Sequence, residues 1–141
     1  MKKPNSNAEF EAHRRKFLIQ NFRRAIAAQS QIAVEQTFRQ IADAPAPRFW
    51  VSEPRAAAVI GKMLHGEDPT PLMYKEKREM YREIFRRFRA LRPSRPGVSI
   101  AEIIFDIVNS PAPRSYISWH RVRNIIASEK KTPHNRQSIN A

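Results

Sequence analysis

Arg78, Arg82, Arg86 and Arg89 follow one another at intervals of four, four and three residues. On a helix that spacing lines them along one side. A row of guanidiniums is chemistry for phosphate, because each planar fork donates paired hydrogen bonds to an oxyanion and stays charged at any physiological pH. A second set recurs at matched positions: Arg48 and Arg55 in one stretch, Arg114 and Arg121 in another, with Arg123 and Asn124 just beyond. Arginine suits the guanine edge and asparagine the adenine edge. These ten residues form the candidate nucleic-acid-binding set. Each has a competing structural use. The loop arginines can brace carbonyls around nearby prolines, and the four-arginine row can be an ordinary solvated helix face.

Other chemistry is scarce. Without cysteine, the chain has no disulfide, no thiol nucleophile and no cysteine-containing zinc site. His13, His65, His120 and His134 show no metal-binding spacing, and three scattered glycines make no phosphate loop. His65-Gly66-Glu67-Asp68 reads as a polar turn before Pro69. The expectation is a non-enzymatic protein with no cofactor and no metal.

Charge names the class of partner. The 141 residues carry 26 Lys+Arg against 13 Asp+Glu, a formal net charge of +13. Residues 75–95 alone hold nine basic groups against Glu76, Glu79 and Glu83. Such an excess seeks polyanions, and nucleic acid is the commonest. The expectation is nucleic acid, DNA ahead of RNA, with affinity resting on phosphate contacts. The alternative is an α-helical adaptor or assembly subunit that holds an acidic protein partner or a nucleoprotein complex, using Phe10, Phe17 and Phe22 as its contact surface. No apolar run is long enough to span a bilayer, and the aromatic faces are needed for a core, so no membrane partner is expected. No secretory apolar region follows the N-terminus, which points to a cytoplasmic, nucleoid-associated place.

The elements that must position these residues are helices. Residues 44–60 (APAPRFWVSEPRAAAVI) and 110–126 (SPAPRSYISWHRVRNII) share seven identities at an offset of 66, including Pro-Ala-Pro-Arg. The register reaches back to pair Val34, Phe38 and Ile41 with Ile100, Ile104 and Ile107. The last three, with Ile103 and Val108, keep the spacing of one helix face. Ser99 with Glu102 is a capping box, and Ser52 and Ser118 are N-caps of the helices that follow the proline loops. Thr70-Pro71 opens a basic helix over about 71–91, with Tyr74, Tyr81, Ile84, Phe85, Phe88 and Leu91 on its apolar face. Residues 5–44 lack Gly and Pro and form one long helix or two meeting near Ser30.

The expected fold is all-α. Two pseudo-repeated helix–loop–helix units, about 34–64 and 98–129, are joined by the basic helix within a single domain spanning 1–131. Residues 132–141 read as a disordered tail. Each unit invites comparison with a helix-turn-helix reader, although its loop of about eight residues with two prolines is longer than that motif's turn.

Overall fold

Two Pro-Ala-Pro segments decide how the chain turns. Proline lacks an amide hydrogen and holds its predecessor extended, so in 45–47 and 111–113 only the alanine can donate from the backbone. In the computed structural model, which describes residues 6–28 and 34–130, these alanines find each other. Ala46 N–H donates to Ala112 O at 2.9 Å, and Ala112 N–H donates to Ala46 O at 2.9 Å. Both alanines are buried. A second reciprocal pair flanks this bridge: Phe49 N–H donates to Val108 O, and Ser115 N–H to Ala42 O.

Around this crossing stand, among the described residues, six α-helices: α1 (Ser6–Ala28), α2 (Val34–Asp43), α3 (Glu53–Leu64), α4 (Lys75–Leu91), α5 (Ile100–Val108) and α6 (Trp119–Lys130). No strand occurs among the described residues, and the fold is all-α. Serine caps stand where the sequence places them. Ser52 accepts from Arg55 N–H, Ser99 from Glu102 N–H and Ser118 from Arg121 N–H. The starts of α2 and α5, and both ends of α3 and α6, lie 66 positions apart.

The packing crosses between units. α3 lies on α5, with α4 across them, while α2 lies on α6, with α1 across them. The first cluster joins Val59, Ile60, Tyr81, Ile84, Phe88, Ile103, Ile104 and Val108. The second joins Leu18, Ile19, Phe38, Ile41, Val122, Ile125 and Ile126. Phe17 packs against both. A helix-turn-helix needs the two helices of one unit to pack on each other. Here each helix finds its main partner in the other unit, because the Pro-Ala-Pro segments run between the layers and hold the consecutive helices apart.

Three expectations change. The basic helix begins at Lys75, not Pro71, and Thr70–Leu72 is a single 3₁₀ turn. The Asp68 carboxylate accepts from both the Thr70 amide (2.9 Å) and the Thr70 hydroxyl (2.7 Å), which holds the turn before the helix, and α4 starts after Tyr74 with no side-chain cap. Tyr74 leaves the apolar face as a result: it stands before the first turn of α4, 84% exposed. The N-terminal aromatics are not a free contact surface either. Phe10 is buried, Phe22 stacks on Phe38 at 5.5 Å, and Phe17 meets Trp50 at 5.8 Å. The junction near Ser30 and the 132–141 tail lie outside the described residues. Among the described residues, no helix is long and apolar enough to cross a membrane.

Candidate functional site

The ten candidate residues separate by what they touch. Arg48 is a brace: its guanidinium donates to Phe49 O (2.9 Å) and Val51 O (2.6 Å) and lies over the Phe10 ring. Arg114 ties α2 to α4 through Asp43 (2.7 Å) and Glu79 (3.3 Å), and the Asp43 bond raises its pKa. Arg78 is half-buried and holds Met73 O. Arg86 is exposed but bound to Glu83 by two hydrogen bonds of 3.0 and 2.7 Å. The four-arginine row is thus broken by its own neighbours. Arg82 and Arg89 remain exposed without an ion pair among the described residues, Arg89 lying over Phe85. Arg123 is exposed, leans on Trp119 and bonds Asn124, which is exposed beside it.

Arg55 and Arg121 come together in a cleft of about 890 Å³. Its lining draws on α1, α4, the approaches to α3 and α6, and their first turns. Seven pairs of its lining residues stand 66 positions apart, among them Glu11/Lys77, Arg14/Met80, Trp50/Tyr116, Ser52/Ser118 and Arg55/Arg121. The cleft therefore lies where the two halves of the chain face each other across the crossing.

Its charge is unbalanced. Arg14, Arg55, Lys77 and Arg121 line it against Glu11 and Glu76. None of the four cations has an ion pair among the described residues, and Arg55 instead bonds the buried Tyr81 hydroxyl. The Arg14 Nε is buried with no hydrogen-bond partner, and leaving such a donor unsatisfied costs about 1–3 kcal/mol. Burial lowers the Arg14 pKa, and the Arg121 charge lowers it further, with Glu11 opposing. Two guanidiniums thus press on one space with too little counter-charge. An oxyanion placed there relieves the repulsion.

Aromatic surface accompanies the charge. Tyr74 stands at the rim, and Trp50, Tyr81 and Tyr116 form the wall. Tyr116 has φ of 53°, a left-handed backbone that costs a non-glycine residue roughly 1–2 kcal/mol. Its ring stacks on Phe49 at 6.0 Å, and strain held in this way concentrates at binding sites.

A second, smaller cleft of about 350 Å³ makes a useful contrast. Arg39, Lys75 and Arg114 line it against Asp43, Glu76 and Glu79. Its charges cancel, and Arg114 is already engaged there.

Arg14, Lys77 and Tyr74 were not among the candidates read from the sequence. The offset of 66 runs on through α1 and α4 and matches Leu18 with Ile84, Phe22 with Phe88 and Arg23 with Arg89, but it pairs Arg14 with Met80 and so gave no signal for that arginine. Tyr74 gave none, because an aromatic at helical spacing reads as core. Comparison with protein-family models, curated proteins and solved structures returned no match.

Proposed function

We propose that the chain is a non-enzymatic nucleic-acid-binding protein, DNA ahead of RNA, built as a duplicated three-helix unit. The observation that carries the binding reading is the set of arginines without an ion pair among the described residues: Arg14, Arg55 and Arg121 in the cleft, and Arg82, Arg89 and Arg123 outside it. A chain carrying +13 still ties Arg48, Arg86, Arg87 and Arg114 into its own framework. What stays unpaired is the surplus that a polyanion neutralises.

The duplication reading is supported by the common offset of helix bounds, reciprocal backbone bonds and cleft-lining pairs. It makes α4 the counterpart of α1 rather than a connector, since each lies across one pair of crossed helices. Arg48, Arg78, Arg86 and Arg114 leave the binding set as braces. Arg123 and Asn124 stay in it as exposed groups near the α6 start.

The test is fluorescence anisotropy with labelled duplex DNA, single-stranded DNA and structured RNA at about 50 and 200 mM salt, the range in which phosphate contacts are felt. Binding should fall steeply with salt. Replacing Arg82 and Arg89 by Ala should flatten the slope of log affinity against log salt by about 0.7–0.9 for each phosphate no longer neutralised. Weak binding to all three at low salt would turn the reading to an acidic protein partner.

A further inference from the structure

We infer that the cleft between the two halves takes a single-stranded segment of nucleic acid, with a phosphate on Arg14 and Arg121 and a base laid on Tyr74. This rests on the nucleic-acid reading and adds strand type and a binding mode. The shape is the first reason. A cleft of about 890 Å³ has the size of a small-ligand pocket; an unpaired nucleotide enters it, whereas a base-paired cylinder meets only its rim.

Charge is the second reason. Lys77 and Arg121 approach the same space as the half-buried Arg14, and none of the three has an ion pair among the described residues, so this part of the cleft is where a phosphate gains most. The third reason is Tyr74. It is 84% exposed and stands in an extended stretch between a 3₁₀ turn and α4, next to Lys75 and Lys77. No ring contact engages it among the described residues. Large aromatics are seldom left so bare, and a ring at the mouth of a cationic cleft is the platform on which unpaired bases stack. An acidic peptide would satisfy the cations and leave the ring unused.

The experiment measures a labelled twelve-nucleotide single strand and its duplex against the whole protein and the variants Tyr74→Ala, Tyr74→Phe and Arg121→Ala. Both positions are exposed, and circular dichroism confirms that each variant is folded. The single strand should bind the unmodified protein more tightly than the duplex. Tyr74→Ala should weaken single-strand binding on the order of tenfold, Tyr74→Phe should restore it, and Arg121→Ala should weaken it and lower its salt slope. A polyglutamate peptide of equal charge should compete poorly.

Equal loss of both ligands in Tyr74→Ala, or no loss in either, overturns the inference. So does displacement by polyglutamate at equal charge. Duplex binding at least as tight as single-strand binding, and sensitive to Arg82→Ala and Arg89→Ala, overturns the cleft mode while the nucleic-acid reading stands. Failure to bind any nucleic acid overturns both.

Discussion

Arg114 and Arg121 sit seven residues apart, both exposed, and their surroundings give them opposite uses. Two carboxylates hold Arg114, whereas Arg121 faces another guanidinium. Exposure alone does not separate a brace from a binding group; the presence of nearby carboxylates does. Carboxylates also set the response to acid. The Glu83 pKa is lowered, first by its bond from Arg86 and then by Arg87. That of Asp68 is lowered by the Thr70 hydroxyl and amide. Both groups titrate lower in the folded chain than in the unfolded one. Their stabilising effect is therefore complete above the unfolded carboxylate range near pH 4 and is lost as pH falls through it and below. Thermal melts should show Tm steady from pH 7 to about pH 5 and falling towards pH 3. Glu83→Gln should have a lower Tm at pH 7 and a shallower acid decline, and an unchanged decline would remove Glu83 from the account.

At the scale of elements, two short signals dominate. Serine hydroxyls at positions 52 and 118 each satisfy an amide that the first turn of α3 or α6 leaves open. Substituting either by Ala should cost about 1 kcal/mol. Urea titration should show this as a lower midpoint with the same slope. The Ser118 change should also disturb the cleft wall that both caps share. The prolines act by subtraction. They leave one donor per Pro-Ala-Pro segment, and the two single donors pair with each other. This is how a repeated Pro-Ala-Pro becomes a crossing point.

At the scale of the whole molecule, that crossing makes the halves interdependent. α2 lies on α6 and α3 on α5, so neither half holds a complete core. The residues on these faces are nearly all buried, including Ile60, Ile104 and Val122, none of them accessible at all. Large-to-small changes at such positions cost about 2–5 kcal/mol each, which exceeds what half a core can lose. Residues 1–66 and 67–141 expressed separately should therefore not be folded monomers. Each should be unfolded or self-associated by circular dichroism and light scattering, and mixing them should restore helicity. A cooperatively melting monomeric half would contradict the crossed packing. The cleft belongs to this scale too, since its walls come from both halves.

By itself the sequence determined the helical class and the serine caps, and it carried the seven identities at an offset of 66. These follow from local chemistry: a hydroxyl three residues before an open amide, proline where a helix must stop, apolar residues at helical spacing. The offset of 66 was legible because identities are visible without any fold. Which helix packs on which was not legible, since an amphipathic face carries no address, and both self-packing and crossed packing bury it equally well. The fate of the arginines was decided by tertiary structure for the same reason. Arg48 and Arg55 look alike in the chain, but one finds two carbonyls and the other the cleft. Tyr74 is the sharpest case: its spacing marks it as core, but the chain forms a 3₁₀ turn at Thr70–Leu72 and starts α4 only at Lys75, which leaves the ring in solvent.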